Sequence, residues 1–210
     1  MITCNFETDF CNWQRLPETA ESTFAWVRNN SDGLSKAGIE NPGGDRGGNK
    51  AKYFAIASNM VPANSPADAT ADLISPYLKG SDHPVECFGF WAYLNGPEDR
   101  LRVWQRIINI DDPVLKWEID SSYMDAQNPQ WIKGQFEIKA ENIREYRMEF
   151  QAIRGSSESG FIAIDDLDFL GVSLCEFRPE AAKPTTATTT TSTTPSTTPA
   201  QLRKMSRHFL

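Results

Sequence analysis

The sequence predicts an all-β protein, a two-sheet antiparallel β-sandwich followed by a disordered C-terminal tail. Three observations carry that expectation. Short segments alternate apolar and polar residues with a period of two, clusters of Gly, Pro, Asn and Asp interrupt them at short intervals, and no window offers a helical stripe longer than about two turns. A chain of 210 residues then divides into a sandwich domain over 1–177 and a stalk with a short basic tail over 178–210.

Taken in order, strands are expected over 24–28, 52–57, 72–78, 85–94, 99–108, 114–119, 131–139, 146–152 and 161–172. In 146–152 the apolar set falls on one face and Arg147, Glu149 and Gln151 on the other, the pattern of a strand with one wet side. Segment 85–94 is apolar on both faces and belongs in the middle of a sheet. The Asn95-Gly96-Pro97 between it and 99–108 is strong turn chemistry and predicts a hairpin. Strands on both sides likewise make a hairpin loop of 155–160. The glycine-rich stretch 33–49 reads as a long exposed loop, as does 59–69 with its two prolines. The two ends of the domain carry matching signals, Cys4-Asn5-Phe6-Glu7 at one and Gly160-Phe161-Ile162-Ala163-Ile164-Asp165-Asp166 at the other. They are expected to lie side by side, closing the sandwich.

The tract PTTATTTTSTTPSTTP over 184–199 has almost nothing to bury, and its hydroxyls suit dense O-glycosylation. Extended near polyproline II geometry it would reach on the order of 50 Å. Residues 201–210 are too short for a domain. Met1-Ile2-Thr3 leads straight into the first motif with no hydrophobic leader, so the sequence reads as part of a longer protein. No apolar run is long enough to span a bilayer.

A net charge of −7 argues against nucleic acid, which needs clustered Lys and Arg. Four cysteines in a loop-rich β pattern indicate disulfides and an oxidising compartment, and allow three pairings. Zinc is the weaker reading, since the only histidines are His83 and His208 and the cysteines are not closely paired. The same shortage of histidine argues against a serine hydrolase. Gly155-Ser156-Ser157-Glu158-Ser159-Gly160 has the spacing of a nucleophile elbow, but strands rather than a strand and a helix flank it. The chain is therefore read as not an enzyme.

Acidic residues suggest a cation site. Glu7 and Asp165 on the two neighbouring ends are the best ligands for a structural Ca2+, with Asp45 of the glycine-rich loop and Asp166 as further candidates. The bland reading is that Glu7 and Asp166 are solvated or paired with Arg46 or Arg154. Most of the six tryptophans fall at core positions; Trp104, between Arg102 and Arg106, sits instead on the polar face of its strand. These three residues form a candidate binding surface, against the alternative that a loop or sheet covers them. Asn29-Asn30-Ser31 is an N-glycosylation sequon at Asn29.

The pieces Cys4-Asn5-Phe6-Glu7, Cys11-Asn12-Trp13-Gln14, Ala71-Asp72-Leu73-Ile74-Ser75-Pro76, Cys87-Phe88-Gly89-Phe90-Trp91 and, as a closing hairpin, 150–155 with 160–166 together resemble the MAM domain of meprin, neuropilin and the mu-type receptor tyrosine phosphatases. The resemblance covers 4–175. It implies a jelly-roll topology, pairing of Cys4 with Cys11 and of Cys87 with Cys175, and a structural metal in some members. Departures concentrate in the middle: Ser22-Thr23-Phe24-Ala25 replaces an acidic cluster before Trp26, Asp45-Arg46-Gly47 stands for the family's Asp-His-Thr, and Ala51 replaces a glycine. The expected function is non-catalytic extracellular recognition, in cell adhesion or protein–protein association, between like molecules as the family suggests. The alternatives are a glycan-binding module and an accessory domain of an extracellular protease.

Overall fold

The computed structural model describes residues 3–16, 24–59, 65–80, 86–125, 129–138, 145–170 and 174–184. The Thr-rich tract from 185 onward, the basic tail, His83 and His208 lie outside them. Two antiparallel sheets face one another. The first contains Gln14–Leu16 (β1), Thr70–Ile74 (β4), Leu78–Lys79 (β5), Arg100–Ile107 (β7), Val114–Asp120 (β8) and Glu145–Ile153 (β10). Its order is β1-β4-β10-β7-β8, with β5 also on β10. The second contains Phe24–Asn30 (β2), Tyr53–Asn59 (β3), Glu86–Leu94 (β6), Ile132–Ile138 (β9) and Phe161–Leu170 (β11), ordered β2-β3-β11-β6-β9. A short helix, Ser31–Lys36 (α1), follows β2. Among the described residues no helix is long and apolar enough to cross a membrane.

Period-two alternation turns alternate side chains of each strand into the space between the sheets. Phe88 and Phe90 of β6, Phe136 of β9, Phe150 of β10 and Trp117 of β8 form an aromatic centre, with Phe90 edge-on to both Trp117 and Phe150. The both-faced apolarity of 85–94 has a second cause. Tyr93, Phe54, Ile56, Phe161 and Ala163 point away from the main core into a smaller cluster completed by Leu34 of α1, with Ile39 and Trp131 packed against it. The segment expected as a long exposed loop over 33–49 is thus only partly one. It begins inside α1, capped by Asn30, whose side chain accepts from the Gly33 N–H at 2.8 Å. Leu34 is fully buried, while Asn59, Pro62 and the middle of 59–69 lie outside the described side chains.

Both expected hairpins are corrected. β6 pairs with β9 and β11, whereas β7 pairs with β8 and β10, so the turn at Asn95-Gly96-Pro97 carries the chain across from one sheet to the other. The connection from β10 to β11 through 154–160 crosses in the same way. Asp99, 1% exposed, ties the two crossings together: its carboxylate accepts from the Gly96 and Gly155 N–H groups, each at 2.8 Å. A Cβ at Gly155 would stand 1.9 Å from the Pro97 carbonyl oxygen, so only glycine admits this approach. The expected strand 72–78 is two pieces, β4 and β5, broken at Ser75-Pro76.

The ends of the domain do meet. Cys4 and Leu167 exchange backbone hydrogen bonds of 2.9 and 2.7 Å, although as a single bridge rather than a strand pair. Arg28 fastens the opening loop, donating to the Phe6 and Glu7 carbonyls while stacking 3.9 Å from the Tyr53 ring centroid. The disulfides are Cys4–Cys11 and Cys87–Cys175, with no free cysteine. Packed structure also runs past residue 177, where the stalk was expected to start. Arg178 exchanges backbone hydrogen bonds with Gln135 of β9 and accepts from the Trp117 indole, and Ala182 is fully buried.

Candidate functional site

The expected cation ligands divide into two groups. Asp45, in the turn that follows Gly43-Gly44, is 8% exposed, and its Oδ1 accepts from the Gly47 and Asn49 N–H groups at 3.0 and 2.7 Å. Asp165, on β11 opposite Trp91 of β6, is 3% exposed and accepts from the Asp166 N–H at 2.8 Å. Burial, then the neighbouring Asp166 and Asp45 charges, push the Asp165 carboxyl up to about 7, against the backbone donors of Asp166 and Arg46. A buried carboxyl raised in this way is favoured by a proton or a cation beside it, and carboxylate oxygens are donors that a hard divalent ion takes. Asp166 is instead paired with Arg46. Glu7 is half-buried, and its backbone carbonyl is taken by Arg28. Among the described residues no three His, Cys, Asp or Glu side chains are grouped for a metal.

The candidate surface Arg102, Trp104 and Arg106 lies on the outer face of the first sheet, where the alternation placed it. Each member has a partner from a neighbouring strand: Arg102 with Glu118 of β8 at 3.1 Å, the Trp104 indole with Gln151 of β10 at 3.4 Å, and Arg106 with Glu149 of β10, one of its two contacts at 3.0 Å. Gln151 in turn donates to Asp72 of β4 at 3.2 Å. Asp72 is held above the usual carboxylate range by burial and by Glu149, against Gln151 and Arg106. Sequence reasoning passed over Arg147, which lies 4.2 Å from the centroid of Tyr77, a ring 57% exposed. The alternation in 146–152 already placed Arg147 on the wet side; Tyr77 follows a proline between two strands and had no such signal. The arginine side chains remain in contact with water, Arg102 at 28% and Arg106 at 47% exposed.

Elsewhere, the serine-rich segment 155–160 joins strands of opposite sheets, not a strand to a helix. Asn29 is the last residue but one of β2, half-buried, its Oδ1 accepting from the Asn30 N–H at 2.9 Å.

A family model described as MAM domain, meprin/A5/mu, matches residues 4–176. Among solved structures, the K2 cleaved adhesin domain of Lys-gingipain is similar with a TM-score of 0.52 at 15% identity, over 80% of this chain and 98% of that one. The K1 domain of the Porphyromonas gingivalis W83 protein gives a TM-score of 0.47 at 15% identity, over 80% and 96%. TmCBM61, solved in complex with beta-1,4-galactotriose, gives a TM-score of 0.47 at 10% identity, over 79% and 93%. At these identities the likeness concerns the β-sandwich fold alone.

Proposed function

The chain belongs to the MAM domain family, an extracellular adhesion-type module, and from that premise we propose that it acts as a non-catalytic recognition domain whose contact face is the outer side of the first sheet. The observation that carries the reading is the alternation there of arginines and rings, Arg102, Trp104, Arg106, Arg147 and Tyr77, over a framework of Glu118, Glu149 and Gln151. Arg, Trp and Tyr are the residue types in which interface energy concentrates, and cross-strand partners hold these in place before a partner arrives. The partner is an extracellular protein. Because the face carries both signs of charge, a second copy of the chain is the partner to test first. Two disulfides suit an extracellular setting.

Beads coated with the domain should cluster, and a Tyr77→Ala/Trp104→Ala variant should cluster several-fold less. A monomeric wild-type protein that leaves beads dispersed overturns self-association. We also assign a structural Ca2+ to Asp45 and Asp165, with Glu7 a further candidate from the sequence and Asp166 committed to Arg46. The buried carboxylate pair supports that assignment, and the ion would neutralise the pair and stiffen the loop that carries Asp45.

A further inference from the structure

The outer face of the second sheet has its own opening, away from the α1 cluster. Gly89 of β6 stands in register between Asp168 of β11 and Gln135 of β9, and one step along, Trp91 stands between Asp165 and Lys133. Leu170 packs over Gly89, where a Cβ would stand 3.0 Å from its Cδ1, and both residues line a cleft of about 600 Å³. Trp91 and Leu170 form its apolar wall, and Lys133, Asp168 and the exposed Asn5 bring polar groups to its rim. Arg46 lies 5.3 Å from the Trp91 ring centroid and pairs with Asp166, which fixes one side of the wall.

Two of the charged groups here are uncommitted. Almost every charged side chain on the other sheet's outer face is paired, but among the described residues neither the Lys133 ammonium nor the Asp168 carboxylate has a hydrogen-bond or ion-pair partner. They belong to strands on opposite sides of β6, two strand spacings or on the order of 10 Å apart, too far to satisfy each other. A molecule lying in the cleft would reach both.

We propose that this cleft is a saccharide-binding site for a neutral sugar. The C–H face of a pyranose or furanose packs on an indole. Vicinal hydroxyls offer paired donors and acceptors to a carboxylate, an ammonium and an amide placed around it. The cleft is open and mixed in lining, unlike the enclosed apolar pockets that take hydrophobic ligands. The charged side chains of the lining balance, Arg46 and Lys133 against Asp166 and Asp168, so the cleft offers an acidic sugar no net attraction.

The test is calorimetric titration of the disulfide-bonded chain with lactose, maltotriose and N,N′-diacetylchitobiose, with 3′-sialyllactose as the acidic arm. At least one neutral sugar is expected to bind with a micromolar to low millimolar Kd. Trp91→Ala should weaken that binding about tenfold or more. Asp168→Asn, which preserves shape, should weaken it several-fold, and Ile110→Ser on a distant loop should leave it unchanged. Absence of binding to every neutral sugar at about 10 mM, preference for the sialylated one, or binding indifferent to both Trp91→Ala and Asp168→Asn would each overturn the proposal. Bead clustering reads the other face separately. A protein that binds sugar without clustering refutes only the association reading, and one that clusters without binding sugar refutes only this one.

Discussion

Asp165 and Asp99 are both acids whose protonation is tied to the folded state, and they differ in what each holds together. Asp165 sits at about 7 in the fold against 3.8 for an ordinary Asp. The native state therefore binds a proton between those values that the unfolded chain has released, and stability falls as pH rises through that window. Asp72 and Asp99, likewise raised by burial, slope the same way. In chelator, the melting temperature should drop from pH 5 to pH 8, and Asp165→Asn should reduce that drop. Calcium should restore the lost stability at pH 8 and do little at pH 5, where protons compete for the same oxygens. A calcium effect as large at pH 5 as at pH 8, or undiminished in Asp165→Asn, would remove Asp165 from the site. Asp99 has a structural job: both oxygens accept backbone N–H groups where the chain crosses between sheets. Asp99→Asn turns one acceptor into a donor facing a donor, and urea unfolding should show a loss of about 1–3 kcal/mol.

At the scale of elements, what could be read from the sequence is what depends on near neighbours. The alternation of Arg147, Glu149 and Gln151 against Tyr146, Met148, Phe150 and Ala152 reflects one strand with one dry side, and β10 is that strand. Asn95-Gly96-Pro97 reports only that the chain reverses. Whether it reverses within a sheet or over its edge depends on distant partners, here β9 and β11 for one arm and β8 and β10 for the other. The segment beyond 177 is the other case. Arg178-Pro179-Glu180 has no periodicity, yet Arg178 closes the free edge of β9 at Gln135, and Ala182 seals the core. A chain ended at Phe177 loses three hydrogen bonds at this edge, two to Gln135 and one from Trp117. It should unfold about 1.5–4 kcal/mol more easily, with faster hydrogen exchange at the Gln135 amide. Unchanged exchange there would mean the segment is a passive start to the stalk.

For the molecule as a whole, the division of labour proposed for the two outer faces follows from the order of strands, which no local pattern contains. Arg102, Trp104 and Arg106 were legible because they lie on one strand. The cleft at Gly89 was not, because Asp168, Gly89 and Lys133 come from three strands and only their register brings them together. The disulfides act on this global arrangement unequally. Cys87–Cys175 spans 88 residues and joins β6, the strand that floors the cleft, to the segment that closes β9; Cys4–Cys11 spans 7. In the chain-entropy model the long loop contributes about 4–5 kcal/mol and the short one about 2–3 kcal/mol. Cys87→Ala/Cys175→Ala should therefore shift the urea midpoint further than Cys4→Ala/Cys11→Ala does. It should also speed exchange at Gln135, as truncation does, because both release the same edge. The Cys4–Cys11 variant should act elsewhere, loosening the Cys4 to Leu167 bridge and the loop that Arg28 holds. Equal shifts from the two variants, with Gln135 protected in both, would show that the long disulfide does not govern this edge and that hydrophobic packing alone keeps the C-terminal segment in place.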